Sequence, residues 1–240
     1  MEDFLERYVH YVSFELSNVC NYSNIHKKCP LGAKRHDKNI LAYSVVDNVL
    51  KFLSKNNFHG LIGYNIYNEP LIDPRLYMFL GLTRTYLGGN IKFTLWTNGF
   101  YLNQVIVDEL WDMFKVDEIM VSSYFPGDEH DRLESIVVPS GMHYLVTSRT
   151  LDDRLDYYTC EENDYCQPCG APLNEMSIKS NGDVALCCLD YDGRHIFGNL
   201  YNQSVEEIIS GSEILEIHNK LKMGIREYEI CKRCRWSRNY

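Results

Sequence analysis

The sequence has no long basic stretch, no apolar run of membrane-spanning length and no secretory signal at its start. Each absence excludes a class of function. Basic clusters such as Lys27-Lys28 and Lys232-Arg233 are too short for a nucleic-acid footprint, and the formal charge is −9, so no nucleic-acid partner is expected. Without a run of bilayer length, no membrane partner is expected either. The opening residues, Met1-Glu2-Asp3-Phe4-Leu5-Glu6-Arg7, lack the pattern of a signal peptide, which makes the cytoplasm the expected compartment. What the chain has in quantity is tyrosine and cysteine. With 18 Tyr it is not a disordered protein. Nine cysteines in an apparently intracellular chain point to metal rather than disulfides. At 240 residues the chain can bury a real core and form one large domain or two small ones.

Strand and helix alternate along the first part. Residues 8–16 read as an apolar strand. Leu41, Val45, Val46, Val49, Leu50 and Leu53 repeat at a helical period within residues 40–53. Residues 60–67 are strand-like, 76–86 helical, 91–96 strand, 104–114 helix, and 118–123 and 142–146 strands. Such βα units connect parallel strands through right-handed crossovers. About five or six strands before residue 150 suit an incomplete barrel better than a closed eight-stranded one, with a doubly wound sheet as the alternative.

The chemistry is concentrated in the loops after these strands, where β/α barrels place their active sites. The loop after the first strand is rich in Asn and Ser and holds Cys20, His26 and Cys29 in the spacing C-x5-H-x2-C. Thiolate and imidazole are ligands for transition metals, and thiolates suit iron–sulfur clusters. The plainer alternative for His26 is a surface loop residue beside two lysines. Asn68-Glu69-Pro70 closes the next strand, where a carboxylate and a carbonyl suit an ammonium group; a simple turn would use the same residues. Thr97-Asn98-Gly99 closes the following one, with Gly able to supply the positive φ of a tight turn. Ser122 and Ser123 end the strand after that.

Residues 150–164 are acidic and lose the βα rhythm, which divides the chain into parts spanning 1–150 and 151–240. The second part holds Cys160, Cys166 and Cys169, an Asn181-Gly182 pair between alternating runs that signals a hairpin, and Cys187-Cys188. On a strand, Cys188 faces the opposite side from Cys187, which makes one of the pair a buried spare. Residues 204–223 read as a helix broken around Gly211, and Cys231-Lys232-Arg233-Cys234 follows. A CxxC with distant cysteines around a hairpin is a four-thiolate metal site.

The first loop resembles the cluster loop of radical S-adenosylmethionine (SAM) enzymes, which opens with the same strand, a polar residue or two, and Cys-Asn. That family usually spaces three cysteines as CxxxCxxC, whereas the second and third positions here are Asn24 and Lys27. Tyr67-Asn68-Glu69-Pro70 resembles its Gly-Gly-Glu-Pro-type motif, with Asn68 in place of the second glycine, Thr97-Asn98-Gly99 its Thr-Asn-Gly, and Ser122-Ser123 the place of a group on the SAM ribose. Cys169, the hairpin, the Cys-Cys pair, Gly198-Asn199-Leu200 and the final CxxC resemble the auxiliary-cluster region of SPASM and twitch proteins. The layout is most similar to the 2-deoxy-scyllo-inosamine dehydrogenase-like enzymes, short twitch proteins that oxidise an amino-cyclitol.

The resemblance implies an α/β fold, a partial (β/α) barrel followed by a small hairpin-plus-helix twitch domain. It implies a SAM-binding [4Fe–4S] cluster on Cys20, His26 and Cys29, with SAM held by Asn68, Glu69, Pro70, Thr97, Asn98, Ser122 and Ser123. A SPASM region proper carries further cysteines after the CxxC, and six residues follow Cys234, so one auxiliary [4Fe–4S] cluster is expected, on Cys169, Cys187, Cys231 and Cys234. A structural zinc on the same four thiolates is the alternative. It also implies a 5′-deoxyadenosyl radical that takes a hydrogen from a small polar substrate, sugar or aminocyclitol, whose alcohol carbon is oxidised. Arg149 stands where such enzymes place an arginine at the substrate. An acidic residue follows the Cys-Cys pair in them, whereas here Leu189 comes first and Asp190 second. An electron donor such as flavodoxin or ferredoxin completes the expected partners. Epimerisation, modification of a ribosomal peptide and a non-catalytic iron–sulfur module are the competing functions.

Overall fold

The computed structural model describes residues 9–33, 38–151 and 167–234. Cys160, Cys166 and most of the acidic stretch between the two parts lie outside the described residues. An eight-stranded sheet organises the chain, in the order β5-β4-β3-β2-β1-β6-β7-β8. Its first five strands are β1 (Tyr11–Phe14), β2 (Leu61–Gly63), β3 (Lys92–Thr97), β4 (Glu118–Ser123) and β5 (His143–Ser148). Each pairs in parallel with the next. The helices between them are α1 (Pro30–Ala33), α2 (Tyr43–Lys55), α3 (Leu76–Leu87), α4 (Gln104–Phe114) and α5 (Asp128–Glu134). This is the incomplete barrel that the βα rhythm predicts.

The pattern of each segment accounts for its place. α2 buries Val45, Val46, Val49, Leu50 and Leu53, one stripe at helical spacing. In β4, Ile119, Val121 and Ser123 are buried while Glu118, Met120 and Ser122 are half-exposed, the two-residue period of a strand with unlike faces. α5 carries no such stripe: of Asp128 to Glu134 only Leu133 is buried, which is why periodicity does not find it. Within the predicted strands 8–16 and 60–67, the strands observed are four and three residues long, and residues 15–16 and 64–67 lead into the loops that carry the candidate site.

The carboxy-terminal part continues the same sheet. β6 (Glu175–Ile178) pairs in parallel with β1, and β7 (Asp183–Ala185) turns back on it through the Asn181-Gly182 hairpin. β8 (Ile196–Asn199), which no sequence pattern announced, adds a third antiparallel strand. Gly211 separates α6 (Val205–Ile209) from α7 (Ser212–Lys222), and α8 (Glu229–Lys232) carries the first cysteine of the CxxC. Cys187 and Cys188 lie beyond the end of β7, both half-buried, so the opposed-faces expectation for a strand pair does not hold. Among the described residues no helix is long and apolar enough to cross a membrane.

Candidate active site and metal centres

The loop after β1 is closed at its base and wound inward. Ser17 bridges Ile40, and the Asn18 and Asn39 pair exchanges two hydrogen bonds: Asn18 N–H to the Asn39 carbonyl at 3.2 Å, Asn39 N–H to Asn18 Oδ1 at 2.8 Å. Arg75 braces it from below, donating to the Leu16 carbonyl at 2.8 Å and the Leu41 carbonyl at 2.7 Å. Within the loop, successive turns run from Ser23 N–H to the Cys20 carbonyl, His26 N–H to Tyr22, Cys29 N–H to His26 and Gly32 N–H to Cys29. This winding leaves Lys27 and Lys28 in solvent and turns His26 (4% exposed) and Cys29 (7% exposed) inward. The surface-residue reading of His26 is thus corrected. Its ring lies 4.9 Å from that of Tyr124, and Tyr22 beneath it meets Phe100, Tyr124 and Phe125 edge-on.

Cys20, His26 and Cys29 share one pocket with Asn68, Glu69, Thr97, Asn98 and Ser122. Four chain segments far apart in sequence thus meet at the carboxyl ends of the parallel strands. Glu69 is the knot. One carboxylate oxygen accepts from Thr97 Oγ1 at 2.6 Å and Leu71 N–H at 3.2 Å, and the other from Asn98 N–H at 2.7 Å. Its own N–H donates to the Val19 carbonyl at 3.0 Å, beside Cys20. Asn98 Nδ2 reaches Asn21 Oδ1 at 2.7 Å and Cys20 Sγ at 3.7 Å. The Thr-Asn-Gly turn needs its glycine: Gly99 has φ +78°, and a Cβ there would stand 2.8 Å from Val121 and 2.9 Å from Leu133.

Not every predicted site residue is in the pocket. Ser123 is one strand position beyond Ser122, so it faces the helices, with its hydroxyl 3.5 Å from the Phe125 carbonyl. Pro70 is buried in a short 3-10 turn next to Glu69. Asn68 lines the pocket while its amide organises the turn, accepting from Ile66 N–H and donating to the Tyr64 carbonyl. Arg149 follows β5 directly, half-buried, its N–H on the Ser123 carbonyl at 2.7 Å, and it does not line the pocket. Sequence reasoning missed Tyr22, Asn65, Ile66, Tyr67, Trp96 and Tyr124, which complete the lining. Their positions beside the named motifs were the available signal.

Burial drives the Cys20 thiol up to about 11, with the Glu69 carboxylate and Cys29 thiol nearby adding to the shift. A thiol in such surroundings stays protonated unless a metal takes the proton's place. The second site has the same character. Burial pushes Cys231 up to about 12, helped by Cys234 and Cys169, and pushes Cys187 well above the usual thiol range, helped by Cys188, Cys231 and Cys234. Cys169, Cys187 and Cys231 pack with Ala171, Leu186, Ile217 and Leu221 in a small core. Among the described residues no group of three or more His, Cys, Asp and Glu is set for a single metal ion. The donor sets nonetheless have the chemistry of iron–sulfur sites: two thiols and an imidazole on one pocket, and half-buried to buried thiols beside a small apolar core at the other.

Asp190 adjoins the second site, its N–H donating to the Cys187 carbonyl at 3.1 Å. It is 2% exposed, and its two oxygens accept from the N–H groups of Arg194 at 3.0 Å and His195 at 2.8 Å, which fixes the loop between β7 and β8. Its carboxylate is engaged by the backbone.

Comparison with known proteins agrees with this geometry. Residues 169–235 match the SPASM iron–sulfur cluster-binding domain. The S-adenosyl-L-methionine-dependent 2-deoxy-scyllo-inosamine dehydrogenase of Niallia circulans is 23% identical over 234 residues, covering 93% of this chain and 91% of the relative. Among solved structures, BtrN in complex with AdoMet and 2-DOIA superposes with a TM-score of 0.80 at 20% identity, over 96% of this chain and 94% of that one. Native anSMEcpe with bound AdoMet gives a TM-score of 0.60 at 13% identity, over 95% and 86%. Residues 169–235 thus carry a SPASM domain, and the chain as a whole has the fold of BtrN and resembles radical SAM proteins of the SPASM/twitch type.

Proposed function

We propose that this protein is a radical SAM oxidoreductase that oxidises an alcohol carbon of a small aminocyclitol-like substrate. The carrying observation is the convergence of Cys20, His26 and Cys29 with Glu69, Thr97, Asn98 and Ser122 on one pocket. In this reading the three loop residues hold a [4Fe–4S] cluster, and Cys169, Cys187, Cys231 and Cys234 hold an auxiliary one, in a functional division near residue 150. When bound, the clusters and SAM supply a hydrogen-abstracting adenosyl radical and a place for the substrate's second electron.

The chain's own part is placement and exclusion of water. Asn68 and Glu69 would hold the amino group of SAM, and Glu69 is held in one orientation by Thr97, Leu71 and Asn98. Ser122, on the pocket wall, would bond the ribose. Pro70 and Ser123 act by shaping the adjoining backbone rather than by contact. Tyr22, Tyr124 and their aromatic neighbours, packed edge-on beside His26, would limit water access to a cluster held there. Arg149, at the end of β5, orients the substrate or offsets charge developing on it. A one-electron donor such as flavodoxin or ferredoxin supplies reducing equivalents.

The test is anaerobic reconstitution followed by reduction in the presence of SAM and 2-deoxy-scyllo-inosamine. Release of 5′-deoxyadenosine with formation of the amino ketone is expected. Release without oxidation, and with solvent deuterium in the product, would replace the dehydrogenase with an epimerase. A fully loaded protein releasing no 5′-deoxyadenosine would sink the reading altogether. His26→Ala is expected to lose iron from the first site and His26→Cys to retain it, with a changed spectrum, because imidazole and thiolate give clusters of different potential.

A further inference from the structure

Arg226 lies between α7 and α8 and makes an unusual set of contacts. Its Nε and Nη2 donate to the Gln167 carbonyl at 3.2 and 2.9 Å. Its Nη1 donates to the Cys231 carbonyl at 3.1 Å and the Cys234 carbonyl at 2.9 Å. One guanidinium therefore ties both cysteines of the CxxC to the segment that leads into Cys169. Cys169 is fastened a second time, its N–H donating to the Leu221 carbonyl at 2.8 Å. α7 ends in a turn in which Ile225 N–H returns to the Lys220 carbonyl, so the next residue points back at the cysteines. The guanidinium is half-buried and stands against the backbone of both CxxC cysteines.

We propose that Arg226 is the positioning residue of the auxiliary metal site and sets its reduction potential. The inference rests on the functional reading above. Planar, forked and permanently charged, arginine can bridge three carbonyls while placing a cation beside thiolates, and lysine can do only the second. Reduction adds one negative charge to a thiolate-bound cluster. A fixed cation close by favours the reduced form and raises the potential, one of the recognised controls on such centres. The same bonds hold together two pieces of chain that contribute three of the four cysteines, so they also resist loss of metal.

The experiment compares Arg226→Gln and Arg226→Lys with the wild-type holoprotein. Its readouts are metal release to a chelator and potentiometry followed by electron paramagnetic resonance, with both clusters recorded. Arg226→Gln is expected to release the second-site metal roughly 10- to 100-fold faster, the usual cost of losing a partner that supports metal ligands. Its second-cluster potential should fall by a shift equal to about tenfold in the oxidised-to-reduced ratio, ~59 mV for one electron. Arg226→Lys should restore the potential but not the release rate. The first cluster should be unmoved in both.

Should Arg226→Gln and Arg226→Lys both shed the second cluster before potentiometry while keeping the first, the clamp is upheld; Arg226→Lys holding it as the wild type does would overturn the clamp. Faster release at unchanged potential would overturn the electrostatic half of the proposal. Release and potential both within twofold of wild type would overturn all of it. A wild type that holds zinc at the second site would defeat the functional reading instead, and the release rates would still decide the clamp.

Discussion

Gly32 offers the sharpest test of how the first loop is built. It lies in α1, directly over the turn that carries His26. A Cβ at this position would stand 2.2 Å from the His26 carbonyl oxygen and 2.6 Å from that of Ser23, both backbone atoms that no rotamer change can remove. Bringing the nearer contact out to 3.0 Å, the least that Cβ atoms tolerate, requires a shift of about 0.8 Å. The His26 carbonyl is also the acceptor for Cys29 N–H at 3.1 Å, so the shift moves two candidate ligands together. Metal–ligand distances hold to within about 0.2 Å, so a displacement of that size breaks the site rather than stretching it. Overpacking of this kind costs about 1–3 kcal/mol of stability. Gly32→Ala should therefore still fold, lose the first cluster's share of iron and sulfide on anaerobic reconstitution, and keep the second's. Wild-type iron content with an unchanged spectrum would refute the argument that the loop's close backbone packing positions the ligands.

Other perturbations reach different joints of the same structure. Glu69→Gln puts an amide donor against Leu71 N–H or Asn98 N–H, leaving a buried donor unmatched; a loss of about 1–3 kcal/mol in urea unfolding is expected, with weaker SAM binding by calorimetry. Arg75→Met removes the brace under Leu16 and Leu41 and strands buried Asp73, its partner at 2.7 Å, for which about 3 kcal/mol is expected; a loss below 1 kcal/mol would mean the brace is ornamental. Glu15 is fully buried against the Ser180 N–H and hydroxyl, and burial raises its carboxyl above 4.5. With the folded value raised, the proton is held more tightly in the folded state, so its favourable contribution is complete below 4.5 and is lost as pH rises through the folded value. Glu15→Gln should thus gain stability over wild type on going from acid to neutral pH, measured by thermal midpoints across that range; a constant difference would refute the assignment.

Much of the fold was legible because the relevant signals are local. α4 and β4 begin and end where periodicity places them, since Val107, Leu110 and Phe114 on one and Ile119 and Val121 on the other each repeat at the period of their element. The break at Gly211 and the turn at Asn181-Gly182 are written in residues whose backbone preferences act without help from distant chain. α5 and β8 were not legible. The first is a polar helix anchored by Leu133 alone, and the second is a half-buried strand formed only because β7 offers it an edge.

The amino-acid sequence by itself determined which donor atoms exist and on which loops: two thiols and an imidazole after β1, a carboxylate after β2, five more thiols beyond residue 167. Only the tertiary structure decided where those atoms face. His26 points inward because successive turns and Gly32's close packing wind its loop. Ser122 enters the pocket and Ser123 does not because adjacent strand residues take opposite faces. Glu69 is immobilised by Thr97 and Asn98, and Asp190 is engaged by its own loop, through contacts made only after folding. Arg226, plain in the sequence, acquires its meaning from carbonyls that folding brings to it, since a backbone acceptor carries no residue-type signature.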